Sequence, residues 1–127
     1  MKRFSNVLKF NKTIDMISMS GCKISDNGMK YLNNGLKFNN KVKILHLWSS
    51  RITNIGIKYL INILKNSKSI KSALVHPNIS NNDVYKLMKA LEYNDALRNL
   101  DVDNKYINEM MNINRIKNLN RIKNLNR

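Results

Sequence analysis

The chain has 127 residues, a mass of 14.8 kDa and 43% hydrophobic residues, which fits one globular domain and disfavours both a second core and wholesale disorder. Its single cysteine, Cys22, excludes an internal disulfide and an all-cysteine metal site. No apolar run is long enough to span a membrane, and the first residues lack the apolar region of a secretory signal, so we expect a cytoplasmic protein.

The net charge of +15 is unevenly distributed along the chain. Residues 1–72 carry 14 basic and 2 acidic groups, residues 73–104 carry 3 and 5, and residues 105–127 carry 6 and 1. Such an excess of positive charge points to nucleic acid or an acidic surface as a partner. The many Asn and Ile residues beside only three Ala also indicate an A/T-rich coding sequence, which by itself raises the lysine content.

The first predicted element is a helix within residues 1–12. Leu8 and Phe10 are matched by Leu36 and Phe38 later in the chain, with the same spacing within each pair, so the chain is expected to open inside a helix of the same kind as the later ones. We expect residues 1–12 to form a partial helix that shields the first strand as an N-terminal cap.

Four short strands are predicted next, because apolar residues recur with an internal spacing of three and then two positions. They are Ile14, Ile17 and Met19; Val42, Leu45 and Leu47; Ile70, Ala73 and Val75; and Leu97, Leu100 and Val102. Each strand is followed by an apolar residue and a residue that favours a helix N-cap. These pairs recur at a nearly constant interval, at Ile24-Ser25, Ile52-Thr53, Ile79-Ser80 and Ile107-Asn108, and such a regular period is typical of a repeat protein.

Helices are predicted after the first three of these pairs, where apolar residues recur at intervals of three and four. They are Met29, Leu32 and Leu36; Ile57, Leu60 and Leu64; and Val84, Leu87 and Leu91. Ser25, Thr53 and Ser80 are suited to accept hydrogen bonds from the first free N–H groups of these helices, and Asp26 favours a helix N-terminus. Gly56 is suited to close approach in the first helical turn.

A single strand–turn–helix unit cannot bury its own apolar faces, so the units are expected to stack side by side with parallel strands and one shared core. One position between strand and cap recurs in every unit, where a buried side chain is expected to bond the turn backbone. It is occupied by Cys22, Ser50, Asn78 and Lys105. At this position we expect Cys22 to be a buried structural thiol.

Over positions 14–111 this pattern resembles the leucine-rich repeat family, in particular the ribonuclease-inhibitor-like class, in which each repeat contains a full α-helix. Residues 42–69 carry the resemblance best, through Val42, Leu45, Leu47, Ser50, Ile52, Gly56, Leu60 and Leu64. The resemblance implies an α/β leucine-rich repeat solenoid, with a short curved parallel sheet and helices on the convex side. It divides the chain into the cap at 1–12, a repeat domain of about four units at 13–113 and a basic low-complexity tail at 114–127.

The resemblance implies a protein–protein interaction module that binds an unidentified partner through its concave strand face. Strand alternation independently places one set of side chains on the open face of the sheet. The predicted partner-binding residues are Met16, Ile44, His46, Trp48, Leu74, His76, Asp101 and Asp103. Ile44, Trp48 and Leu74 would form one apolar patch, of the composition found at binding hot spots. Alternatively, Trp48 covers the strand ends or contacts a second copy of the chain.

Neither catalysis nor metal binding is predicted for this surface. His76 could face Asp103 on the next strand, with His46 diagonally across, but no third ligand stands at a metal-binding spacing, so no metal, cofactor or catalytic residue is predicted. The chain has no glycine-rich phosphate loop and no serine nucleophile motif, and we do not expect an enzyme.

The sequence also allows two other kinds of binding: to nucleic acid or an acidic surface, and between copies of the chain. The basic residues on the predicted helices could bind nucleic acid or an acidic surface without sequence preference; they are Lys30, Lys37, Lys58, Lys65, Lys86 and Lys89. The tail, in which residues 114–119 recur as 120–125, would add to that surface. The outer strands, at 14–19 and 97–102, would expose unpaired edges through which copies self-associate.

Overall fold

The computed structural model describes residues 2–20, 24–48, 51–78, 80–92 and 94–103, and at some strand ends the backbone alone. Helices and strands alternate along the chain. The elements are α1 (Lys2–Phe10), β1 (Met16–Ser20), α2 (Asp26–Leu36), β2 (Ile44–Trp48), α3 (Asn54–Asn66), β3 (Ser72–Asn78), α4 (Asn81–Ala90) and β4 (Asn99–Asp103).

The four strands form one parallel sheet in the order β1-β2-β3-β4. Met16 pairs with Ile44, Ile44 with Ser72, and Ser72 with Asn99, so each unit lies beside the next in the chain. The predicted α/β fold with a parallel sheet is confirmed, and the strands expected to be outermost are the two edges.

The core lies between the sheet and the helices. Leu45 and Leu47 of β2 are completely buried, as are Leu32 of α2 and Leu60 of α3. Because side chains alternate along a strand, the opposite face of the sheet carries the residues between them, and no helix covers it within the described residues. The unit that the sequence predicts therefore exists: each strand and each helix buries one face in a core that it shares with its neighbours.

The predicted N-caps are confirmed. Ser25 accepts a hydrogen bond from the backbone N–H of Gly28 at 3.3 Å, and Ser80 accepts one from the N–H of Asp83 at 3.2 Å. Thr53 accepts from the N–H of Ile55 at 3.2 Å. Each helix after α1 thus begins where its capping residue satisfies one of the free N–H groups of the first turn.

A polar side chain also recurs in the turns that join each helix to the next strand. Asn39 accepts a hydrogen bond from the N–H of Val42 at 3.0 Å, while its amide donates to the carbonyl of Leu8, one unit earlier, at 2.8 Å. Asn94 donates in the same way to the carbonyl of Leu64 at 2.6 Å. Each of these asparagines stabilises its own turn and also bonds to the helix of the preceding unit.

The recurring polar position predicted from the sequence lies at the opposite end of the strands, between each strand and the following helix. Of the four positions named there, Cys22, Ser50 and Lys105 lie outside the described residues, and Asn78 is described only as part of β3. The expectation for Cys22 therefore stays a prediction, as do the domain boundaries and everything concerning the tail at 114–127.

β3 is longer than expected and its pairing with β4 is irregular. Val75 pairs with Val102, but Asp103 pairs with Asn78, so β3 advances three residues while β4 advances one. Pro77 lies in this stretch and has no N–H to donate to the sheet, which favours a bulge at this point. The possible pairing of His76 with Asp103 does not form, because the bulge places Asp103 opposite Asn78.

Candidate functional site

The open face of the sheet is the candidate site, and the strand register arranges it in rows. One row places Met16 beside Ile44. The next row runs through Ser18, His46, Leu74 and Asp101. Adjacent positions in a row lie about 4.8 Å apart, and residues two positions apart on neighbouring strands are diagonal neighbours. Met16, Ile44, His46 and Leu74 are therefore one contiguous surface, which we call the strand-face patch.

Exposure differs across the strand-face patch. Met16 is 45% exposed, whereas Ile44, His46 and Leu74 are half-buried among their sheet neighbours. Asp101, at the β4 edge of the same row, is exposed. The patch is thus mainly apolar, with one imidazole and with a carboxylate at its border, and it is partly open to solvent.

Three of the predicted partner-binding residues are placed by backbone register alone. Trp48 pairs with Ser20 and with His76, one row beyond the strand-face patch. Asp103 is paired with Asn78. The predicted apolar patch of Ile44, Trp48 and Leu74 is therefore located by its strands, and the contribution of the Trp48 side chain lies outside the described part of the molecule.

The described residues contain no group of three or more His, Cys, Asp or Glu side chains that could hold a metal ion. Within the same residues, no helix is long and apolar enough to cross a membrane.

Two exposed aromatic residues lie at the edge where the helices end, and neither was among the predicted site residues. Phe10 is 81% exposed and Phe38 is 68% exposed, although their positions in successive units match. Lys37 lies over the ring of Phe38, with its Nζ 5.8 Å from the ring centroid. The signal was present in the sequence, because each Phe comes two residues after the last core leucine of its helix and so falls off the buried stripe.

A carboxylate that links two units was also missed. Asp26, in the first turn of α2, accepts hydrogen bonds from the N–H of Thr53 at 2.8 Å and the N–H of Gly56 at 2.9 Å, and also from the Thr53 hydroxyl. Partial burial by itself raises the pKa of Asp26, but the bonds from Thr53 and Gly56 outweigh it and hold that pKa below its ordinary value of 3.8. Asp26 thus caps the helix of the following unit.

Gly56 is required by this arrangement. A Cβ atom at position 56 would collide with Oδ1 of Asp26 and would lie 2.5 Å from Cγ2 of Ile52. The close approach expected in the first helical turn is confirmed here, and its purpose is to admit the neighbouring carboxylate.

Comparison with known proteins gives a likeness of fold. No protein-family model matches the sequence, and no curated protein matches it. Among solved structures, leiomodin-1 actin-binding site 2 matches 97% of this chain and 79% of that one, with a TM-score of 0.72 and 20% identity. The C-terminal domain of Caenorhabditis elegans tropomodulin matches 97% of this chain and 96% of that one, with a TM-score of 0.58 and 14% identity.

These neighbours correct the classification made from the sequence. The assignment to the ribonuclease-inhibitor-like class is wrong, because the structural neighbours are the leiomodin and tropomodulin domains. The spacing of apolar residues indicates that strand–helix units stack and share a core, and this is common to many repeat classes. The predicted α/β array of stacked strand–helix units is confirmed.

Proposed function

We propose that this chain is a protein-binding module, that actin is its partner, and that the strand-face patch contacts that partner. One observation carries the proposal: within the part of the chain that the structure describes, helices cover the sheet on one side only, and the other side presents Met16, Ile44 and Leu74 together. Apolar surface of this kind, rimmed by polar residues, is typical of an interaction site. The likeness to leiomodin-1 actin-binding site 2 supports actin as the partner.

We propose that the units form a short curved leucine-rich-repeat-like solenoid with helices on the convex side, so that the strand-face patch is concave. We also propose that the chain is not an enzyme. The described side chains of the patch are three apolar groups and one imidazole, which suit contact with a partner better than acid–base chemistry.

Binding to actin tests the proposal directly. Filamentous actin is used in co-sedimentation, and labelled monomeric actin is used in fluorescence anisotropy. In the double variant Met16→Ser/Leu74→Ser, the lost apolar contact should raise the Kd about tenfold or more. If the wild-type chain binds neither form of actin, actin is not the partner.

A matched control is available on the helices. Val7 is 51% exposed and Ile55 is 53% exposed, close to the exposure of Met16, and both lie away from the strand-face patch. The double variant Val7→Ser/Ile55→Ser should change the Kd by less than about twofold. Equal loss of binding in both double variants would show that the strand-face patch is not the contact surface.

Binding of nucleic acid or an acidic surface through the basic helices is the second candidate. It rests on the observation that the six helix lysines predicted to form this surface are all exposed. A labelled oligonucleotide that bound tightly near physiological salt, with an affinity unchanged in Met16→Ser/Leu74→Ser, would favour it.

A further inference from the structure

A cleft lies at the edge of the fold, away from the strand-face patch. It opens between the C-terminal ends of α2 and α3 and has a volume of about 300 Å³. The residues at its rim include Lys37, Phe38, Asn66, Ser67 and Lys68. A second depression of about 570 Å³ continues it past Asn66, Ser67 and Lys68 toward the next unit.

The cleft lies at the turn that lacks the hydrogen bond to the preceding unit found in the neighbouring turns. In the neighbouring turns, the amides of Asn39 and Asn94 donate to a carbonyl of the helix one unit earlier, those of Leu8 and Leu64. Ser67 occupies the matching place, but its short hydroxyl accepts within its own turn, from the N–H groups of Ser69 at 3.3 Å and Ile70 at 3.0 Å. Without the longer side chain, no amide of this turn reaches the helix one unit earlier within the described residues. Closer to the middle of the same two helices, the amide of Asn62 donates to Oδ1 of Asn33 at 3.0 Å, and the cleft opens beyond that bond.

We infer that this cleft binds an acidic, extended polypeptide segment that also carries apolar side chains. Lys37 and Lys68 supply positive charge, and no acidic residue lies among the described residues that line the cleft itself. The depression that continues it is lined by Lys65 and Asp95, so the positive charge is concentrated at the cleft end. The ring of Phe38 is 68% exposed beside them, with no hydrogen-bonding group of its own, and offers a surface for an apolar side chain. Asn62 and Asn66 also line the cleft, but their amides bond to each other and to Asn33, so the two lysines and the Phe38 ring carry the inference.

The ends of α2 and α3 distinguish a polypeptide from a nucleic acid. The last carbonyl groups of a helix lack intrahelical partners and carry partial negative charge, so they attract N–H donors and disfavour any anion placed directly against them, phosphate or carboxylate. The carboxylates of a bound peptide would therefore lie at Lys37 and Lys68, and its N–H groups at the helix ends. A peptide brings backbone N–H groups together with its carboxylates, whereas a phosphodiester backbone brings none. The chain's own C-terminal segment does not suit the cleft, because residues 105–127 hold 6 basic groups and 1 acidic group.

The test uses the full chain and a short fluorescein-labelled peptide that alternates Glu with Leu, with anisotropy as the readout. A peptide in which Gln replaces every Glu measures the charge requirement. The double variant Lys37→Glu/Lys68→Glu should weaken binding about tenfold or more, and Phe38→Ala should weaken it several-fold. Ser67→Asn should also weaken it, because the longer amide closes the cleft.

Matched variants separate the cleft from the rest of the basic surface. Lys58→Glu/Lys86→Glu makes the same charge change on exposed helix positions, and it should alter the Kd by less than about twofold at physiological salt, where the screening length is about 8 Å. Tyr85→Ala is the control for Phe38→Ala, since Tyr85 is 65% exposed on α4. Thermal unfolding of each variant reports whether it is folded.

Three results would overturn the inference. They are equal binding of the Gln peptide, equal loss in the Lys58→Glu/Lys86→Glu control, and tighter binding of a single-stranded oligonucleotide that Lys37→Glu/Lys68→Glu abolishes. The Met16→Ser/Leu74→Ser variant should bind the peptide like the wild type, so failure of the actin proposal and failure of this one are distinguishable.

Discussion

Replacing Asp26 by Ala tests whether adjacent units are held together by cross-unit capping as well as by the core. In the folded chain its carboxylate accepts from the N–H groups of Thr53 and Gly56 at 2.8 and 2.9 Å. An N-cap residue contributes about 0.5–2 kcal/mol. Because Asp26 is only half-buried and water can replace part of these bonds, we expect a loss of about 1–2 kcal/mol.

The assay is thermal and urea unfolding followed by circular dichroism, with Asp15→Ala as the control. Asp15 is an exposed carboxylate whose removal makes the same change in charge, and its backbone carbonyl, which accepts from Lys43 and Ile44, is retained. For a chain of this size, 1–2 kcal/mol corresponds to a fall in Tm of about 4–8 °C. Equal effects of Asp26→Ala and Asp15→Ala would refute the capping role.

The pH dependence of the same contact has a definite sign. The pKa of Asp26 is lowered in the folded state from 3.8, so its contribution to stability is fully present above that value and is lost as the pH falls through the folded-state pKa. The difference in stability between the wild type and Asp26→Asn should therefore be constant near neutral pH and shrink below about pH 4. A difference that persisted unchanged at lower pH would contradict the assignment of the charged carboxylate.

Three other substitutions give expected changes in the free energy of unfolding, measured by urea denaturation. Ser67→Asn should raise the free energy of unfolding by about 1 kcal/mol, because the new amide can reach the carbonyl of Leu36. No gain would contradict the view that the cleft exists because Ser67 is too short to make this bond. Gly56→Ala should lower the free energy of unfolding by about 1–3 kcal/mol, since the added Cβ collides with Asp26, and a gain from helix propensity alone would count against the close approach. Ser69→Ala should leave it unchanged or raise it by up to about 1 kcal/mol, because the buried Ser69 Oγ has no hydrogen-bond partner within the described part of the chain; a clear loss would reveal a partner.

The stacking of the units could be predicted because it depends on patterns local to each unit. Apolar spacing determined which face of each strand is buried, and the nearly constant repeat length set the register that pairs Met16 with Ile44. Ser25 and Thr53 identified the starts of two helices by their chemistry alone.

Other features depend on contacts between units, which spacing does not encode. The bulge at Pro77 shifts Asp103 away from His76, and it follows from how two strands meet. Asp26 was recognised as favourable to its own helix, but its bonds to the next helix depend on how closely α2 and α3 approach. The repeat class was misjudged for the same reason, because apolar periodicity is shared by many stacked folds.

The candidate site was predicted in part. Strand alternation placed Met16, Ile44, His46 and Leu74 on one face, and the register brings them together. The cleft beside Phe38 was not predicted, since it results from the absence of a longer side chain at Ser67 and from the position of two helix ends. The absence of a hydrogen bond is harder to recognise in a sequence than the recurrence of an apolar residue.

Methyl NMR in the presence of monomeric actin tests the central claim most directly, because it reports which face of the sheet and helices the partner contacts. If the strand-face patch binds the partner, the methyl signals of Met16, Ile44 and Leu74 should shift or broaden, while those of Val7 and Ile55 stay unchanged. Shifts at Val7 and Ile55 with none at the strand-face patch would contradict the account.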